Sequence, residues 1–277
     1  MITPEQREAR KKGIGASDTP IIMGFSSYKT PYQLYLEKLD LAEDNEPETE
    51  AQYWGNELER PIMRHFMKLN KVNVTFPDTV YHQDKSYMFA NLDGYISSQN
   101  AVVEIKNASA YTRANWGEDG SNIVPMQYLV QLAHQCIVAN ASKGYLAVLI
   151  GGNEYRQYEY HRDSALETMI IEAVDCFWLN NVLLKIEPDS ITIEDSRLKY
   201  KTATEGLSKP ANVVALNTLK KLREGMDFIK KCEDLNNKHK MALIELMKDA
   251  ECLTDETGKP LLTLKADKKG TRRFLLK

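Results

Sequence analysis

Apolar positions along this chain keep two rhythms, one near 3.6 residues and one near 2, and their interleaving predicts an α/β fold. A helix is predicted from Thr30 as cap and Pro31 in the first turn, with Tyr32, Tyr35, Leu36 and Leu39 on its apolar side. A longer one spans residues 50–70 and carries Trp54, Leu58, Ile62, Phe66 and Leu69, with Pro61 expected to kink it near Glu59. Pro125 opens a third, reaching about residue 140. Ser164 and Glu167 read as the capping box of a fourth, reaching about residue 184, with Leu166, Met169, Ile170, Ala173 and Phe177 as its stripe. A short helix is expected after Gly13-Ile14-Gly15-Ala16-Ser17-Asp18, with Ser17 as cap, Pro20 in the first turn and Gly24 at the end. Strand patterns fall at residues 73–76, 79–82, 88–96, 101–106, 144–150 and 155–161.

Behind these the pattern changes. Residues 107–124 read as a loop and 186–210 as a connector. Residues 211–250 form one long helix with Leu219, Leu222, Met226 and Ile229 at coiled-coil spacing. Residues 261–265 and 271–276 read as a hairpin. The expected organisation is a functional core over residues 1–190 and a helix-plus-hairpin appendage over 191–277.

Composition adds exclusions. No segment approaches the roughly 18 apolar residues of a membrane span, and Met1-Ile2-Thr3-Pro4-Glu5-Gln6 lacks the order of a secretory signal, so a cytoplasmic location is expected. The four cysteines are scattered, which argues for reduced thiols and against a zinc or iron–sulfur site. The net charge of −3 hides an uneven distribution. Residues 37–50 hold seven acids against one lysine and read as a solvated linker. Basic residues gather at Arg7, Arg10, Lys11 and Lys12, and again at Lys265, Lys268, Lys269, Arg272, Arg273 and Lys277.

Candidate chemistry lies in residues 93–106. Asp93 closes a strand-like run, Ser97-Ser98-Gln99-Asn100 reads as a turn, and Ala101-Val102-Val103-Glu104-Ile105-Lys106 reads as the returning strand. Side chains alternate along a strand, so Glu104 and Lys106 share a face. Two carboxylates and an ammonium on a mostly apolar hairpin are costly to bury unless they serve a ligand. A divalent cation on Asp93 and Glu104, with Lys106 facing a water, is one such use. A surface hairpin with an ordinary Glu/Lys pair is the other reading.

Four separated segments decide between them: Arg10 to Ser17, Trp54-Gly55-Asn56-Glu57-Leu58-Glu59, Asp93 to Lys106, and the helix with Gln131. Together they resemble the lambda-exonuclease family. Gly13-Ile14-Gly15-Ala16-Ser17-Asp18, Tyr28-Lys29-Thr30-Pro31-Tyr32-Gln33-Leu34 and Ala147-Val148-Leu149-Ile150-Gly151-Gly152 bring the chain nearest to its YqaJ-type viral recombinase branch. The resemblance covers about residues 8–185. It implies a restriction-endonuclease-like core of the PD-(D/E)xK type, a central mixed sheet flanked by helices. It further implies a Mg²⁺-dependent exonuclease, with Mn²⁺ able to substitute. Such an enzyme digests one strand of linear duplex DNA from the 5′ end, releasing 5′-mononucleotides. The 3′ strand is left for a single-strand annealing protein in phage-type recombination, and the enzyme is a ring-shaped homotrimer.

By the same resemblance Asp93, Glu104 and the Ile105 carbonyl hold the metal, and Lys106 orients the attacking water. Glu59 matches an additional acidic residue able to hold a second metal through water, and Gln131 a polar residue beside the nucleophile. Arg10 and Ser17 match positions that bind the terminal 5′ phosphate. Asn91 stands where the lambda member has serine, which bears on phosphate selection and not on cleavage. The appendage is absent from the lambda member. Two other readings stand beside this one: a non-catalytic DNA-end-binding protein of the same fold, and a related nuclease, either an endonuclease or a helicase-linked iron–sulfur enzyme. The scattered cysteines count against the last. Tyr111, Arg113 and Trp116 are candidates to stack on bases or, more simply, to anchor their loop, and His134 is expected to be structural.

Overall fold

The computed structural model describes residues 10–42, 49–268 and 270–277. Arg7, Lys269 and the middle of the acidic linker lie outside the described residues. The chain divides into two units, Met1–Thr202 and Ala203–Lys277. Residues 191–202 belong to the first unit, because α6 (Ile193–Lys199) is tied to it by the bond from Thr30 Oγ1 to Asp195 at 2.7 Å. Its start is written in the sequence as a capping box, Thr192 and Asp195, within the stretch expected to be a connector.

In the first unit a four-stranded sheet has the order β4 (Gly94–Ile96), β5 (Ala101–Ala108), β6 (Lys143–Ile150), β7 (Glu154–His161). The β5–β6 pair is parallel and its neighbours are antiparallel, so the sheet is mixed. Gly151 and Gly152, at φ of 61° and 81°, make the tight turn into β7. Strand alternation sorts β5 between two layers. Val103 and Ile105 pack with Ile62, Met63 and Phe66 of α3 (Glu50–Asn70). Val102 packs on the opposite face with Val130, Leu132 and Cys136 of α4 (Met126–Val138). A smaller sheet of order β1 (Ile14–Gly15), β3 (Met88–Ala90), β2 (Val80–Tyr81) stands beside it. Two helices follow β1: α1 (Thr19–Ile22), and α2 (Pro31–Lys38) with its Thr30–Gln33 capping box. α5 (Ser164–Cys176) continues into a π-helical stretch, Phe177–Leu183.

Several expectations are corrected. The single strand over 88–96 is two strands in two sheets, broken at residues 91–93, because β3 pairs with β1 and β2 whereas β4 pairs with β5. α1 begins after Asp18 and not Ser17. α5 is capped by Asp163, whose carboxylate accepts from the Ala165 and Leu166 amides. Glu167 is instead engaged by Arg162 and by the Tyr160 hydroxyl at 3.0 Å. Trp54 and Leu69 are exposed, so α3, which contains Pro61, fully buries only residues of its Ile62–Phe66 stretch, and on α5 Met169 is exposed as well.

The second unit consists of α7 (Val213–Met247) and a sheet of order β10 (Arg272–Leu276), β9 (Pro260–Ala266), β8 (Cys252–Thr254). The expected hairpin thus gains a third strand. Met247, Leu262 and Leu264 form its core.

Candidate active site

Asp93 occupies the crossing between the two sheets, and that position explains its contact. β4 pairs with β5 only as far as Val103. Beyond it, the Ile105 amide on that side of β5 has no strand partner. Asp93 Oδ2 accepts from it at 2.8 Å, satisfying a backbone donor that would otherwise be orphaned. The N–H and C=O of one strand residue point to the same side, so the Ile105 carbonyl faces the same flank as Asp93.

Glu104 and Lys106 project from the α4 face of β5. Glu104 is almost fully buried, 1% exposed, and its carboxylate is ringed by donors. Gln131 Nε2 reaches Oε1 at 2.6 Å, Gln135 Nε2 reaches Oε2 at 2.6 Å, and Lys106 Nζ lies 2.5 Å from Oε1. Gln131 and Gln135 sit one helical turn apart on α4, which is why both amides meet one carboxylate. Lys106 Nζ also stands 5.3 Å over the Tyr128 ring. That ring stacks on the buried Trp116 at 5.3 Å, and Trp116 stacks in turn on Tyr158. Trp116 is therefore an anchor under the lysine and not a base-stacking surface. Arg113 pairs with Glu154 at 2.7 Å, and Tyr111 is 99% exposed.

The electrostatics tie these groups together. Burial raises the Asp93 carboxyl well above its ordinary value and the neighbouring Glu104 charge raises it further, with Lys106 opposing. Glu59, half-buried on α3, is raised by burial and then by Glu104, so its charge is felt at the same centre. Burial works to deprotonate Lys106, but Glu104 and Asp93 outweigh it and hold the group above its normal value, as an ammonium. Like charges in a desolvated site are what a cation relieves. The donors are hard oxygens of the kind Mg²⁺ prefers, and no cysteine or histidine competes among the residues just named. Among the described residues no set of three or more His, Cys, Asp or Glu side chains is gathered as a metal cage. A cation on Asp93 and Glu104 would thus complete its shell from the Ile105 carbonyl and water.

Arg10 and Ser17 come together: Arg10 Nη2 lies 3.5 Å from Ser17 Oγ. The same guanidinium nitrogen lies 3.2 Å from Asp18 Oδ1. Asp18 is buried beneath them, held by Lys38 Nζ at 2.6 Å and by the Gly15 amide at 3.0 Å. Burial opposes its ionisation, yet Lys38 and then Arg10 bring its carboxyl below the ordinary range. Asn91 is exposed and its Oδ1 accepts from Thr79 at 2.7 Å. Among the described residues no hydrogen bond joins it to Arg10 or Ser17. His134 is structural, its Nε2 donating to the Phe89 carbonyl at 3.1 Å and its Nδ1 accepting from Thr19 at 2.7 Å.

Sequence reasoning missed Gln135, Tyr128, Asp18 and Lys38. The spacing of Gln131 and Gln135 was a signal that could have found one of them. The others are visible only once α2 and α4 are packed.

The first unit is thus a restriction-endonuclease-like α/β domain with a carboxylate pair and a lysine at the flank of its central strand. Residues 6–142 match the model of the YqaJ-like viral recombinase domain. It is 33% identical over 213 residues to the uncharacterized protein YqaJ of Bacillus subtilis (strain 168), covering 75% of this chain. The chain spans 66% of that relative's length. Among solved structures, an alkaline exonuclease from Laribacter hongkongensis superposes with a TM-score of 0.54 at 20% identity, over 72% of this chain and 97% of that one. A putative exonuclease from Eubacterium rectale gives 0.53 at 15% identity, over 78% and 98%. At these identities the likeness establishes the fold.

Proposed function

We propose that the chain is a Mg²⁺-dependent exonuclease that removes 5′-mononucleotides from linear duplex DNA. It works from the 5′ end and leaves a 3′ strand for annealing-type recombination. The observation that carries this reading is that Asp93 holds the Ile105 amide between Glu104 and Lys106, which pair with each other, and that the charges of both act on the Asp93 carboxyl. The family of recombinase domains and the exonuclease titles of the fold relatives support it.

A bound Mg²⁺ (or Mn²⁺ in its place) supplies Lewis acidity to the scissile phosphate and a more acidic water. Asp93, Glu104 and the Ile105 carbonyl present the oxygens for it. Gln131 and Gln135 hold the Glu104 carboxylate in one orientation. Lys106, kept as an ammonium, serves as an electrostatic and orienting group and not as a proton acceptor, offsetting charge that develops on the phosphate oxygens. Glu59 is the remaining acid within this field and suits a second, water-mediated cation. Arg10 and Ser17 form the receptor for the terminal phosphate, with the Asn91 amide a third donor. Asp18 fixes Arg10 at the cost of part of its charge. We further propose a homotrimeric ring, an annealing protein that takes up the 3′ strand, and a site of action in the bacterial cytoplasm.

The test is linear duplex with 5′ phosphates and Mg²⁺. The expected products are mononucleotides and a long 3′ strand, and Lys106→Ala should bind DNA without cutting it. Intact duplex with the wild-type chain would leave an end-binding protein, and nicked closed circles would indicate an endonuclease. Arg10→Ala should remove any preference for 5′-phosphorylated over 5′-hydroxyl ends. Light scattering at three times 31.6 kDa is the result expected of the ring.

A further inference from the structure

The second unit carries a charge opposite to that of the first. Residues 203–277 hold sixteen lysines and arginines against eleven acids, whereas residues 1–202 hold twenty against twenty-eight. Part of this excess is organised on one surface. In the β10–β9–β8 sheet, Leu262, Leu264 and Phe274 turn toward Met247, so the intervening residues of the same strands form the outer face. There Lys265 and Arg273 are directly opposed across β9 and β10, as are Thr263 and Leu275. Lys268 is exposed in the turn that joins the two strands. Thr263, Lys265, Lys268, Arg273 and Leu275 line one shallow hollow on this outer face, open to solvent.

Two like charges directly opposed across a strand pair repel and are destabilising in isolation. Asp267 offsets one of them, at 3.3 Å from Arg273 Nη2, and Glu251 also borders the hollow. The balance on the face is still cationic. Strands β9 and β10 place no aromatic ring on it, since their one aromatic residue, Phe274, belongs to the core. It therefore offers phosphate contacts without a platform for stacked, unpaired bases.

We propose that this outer face, centred on Lys265 and Arg273 with Lys268 at its rim, binds the phosphate backbone of duplex DNA and so holds the substrate of the catalytic unit. The proposal rests on the DNA-processing reading above. The face reads no sequence, because it has the charge for phosphates and not the side chains that read base edges. It confers on an acidic catalytic unit an affinity for polyanions that the unit's own net charge opposes.

The test is fluorescence anisotropy of a labelled 30-base-pair duplex with the full chain in EDTA, titrated over a range of NaCl concentrations. Each lost phosphate contact lowers the slope of log K against log salt by about 0.9. The double variant Lys265→Gln/Arg273→Gln should thus lower the slope by about 2 and weaken binding at 0.1 M salt by about tenfold or more. The charge-keeping variant Lys265→Arg/Arg273→Lys should retain the wild-type slope, which separates lost contacts from lost folding. An unchanged slope in the Gln variant, with wild-type binding intact, overturns the proposal and points to an acidic protein segment as occupant of the face. No binding by the wild-type chain under any salt condition would overturn the DNA reading itself, and cleavage of a short duplex at saturating protein checks that reading independently.

Discussion

Replacing Lys38 by methionine tests how the floor of the proposed phosphate pocket is built. Asp18 is 1% exposed, and three donors satisfy it: Lys38 Nζ at 2.6 Å, the Gly15 amide at 3.0 Å and Arg10 Nη2 at 3.2 Å. Lys38 also donates to the Arg10 carbonyl at 2.6 Å, so one ammonium fixes both the carboxylate and the backbone that carries the guanidinium. Methionine fills similar volume and removes only the charge. Breaking one side of a buried pair costs about 3–5 kcal/mol, since the remaining carboxylate is left desolvated beside a half-exposed arginine. In a domain of this size that lowers the melting temperature by roughly 10 °C.

The loss should depend on pH with a definite sign. Asp18 is depressed below 3.8 in the folded wild type, so its stabilisation is complete above that value and is lost as the pH falls below it. The gap between wild type and Lys38→Met should therefore shrink as the pH falls, because burial without Lys38 raises the variant's carboxyl, whose protonation relieves the unpaired charge, while the wild type loses its own stabilisation below 3.8. Urea unfolding of wild type, Lys38→Met, Asp18→Asn and the double variant gives the coupling directly. A cost under about 1 kcal/mol for Lys38→Met, with no coupling to Asp18→Asn, would refute the reasoning.

Three further outcomes are expected. His134 is held neutral by burial at a pKa of about 4 against 6.5 unfolded, so stability should fall by about 3 kcal/mol as the pH drops from about 6.5 to 4. His134→Gln should flatten that part of the urea-midpoint profile, and a profile that keeps its slope would assign it to other groups. Gln135→Leu removes the donor to Glu104 Oε2 and should weaken Mn²⁺ binding about tenfold by calorimetry without DNA, while an unchanged affinity would show that Gln131 alone positions the carboxylate. Gly94→Ala would drive a methyl against Val74 and to 2.7 Å from Met63 Cε, where β4 passes α3, and should cost about 1–3 kcal/mol in unfolding experiments. A neutral result there would mean that α3 shifts freely on the sheet.

Much of the fold was legible because local signals agreed with one another. The Thr30–Pro31 start of α2 and the span of α3 were written in caps and periodicity, and the alternation in β5 put Glu104 and Lys106 on one face. Where local signals competed, packing chose. Residues 88–96 have the pattern of one strand, but pairing with two different sheets breaks it at residues 91–93. Glu167 fits a capping box, but Arg162 and Tyr160 claim it and leave the cap to Asp163.

By itself, then, the sequence determined the order of elements and the kinds of side chain at the centre, because helix and strand periods and capping residues act over a few neighbours. Tertiary structure alone decided that Asp93 would meet the Ile105 amide, that Gln135 would join Gln131 on Glu104, and that Lys38 would reach Asp18. Those pairings join groups from separate segments, and their energies arise from desolvation, which exists only once sheet and helices close over them.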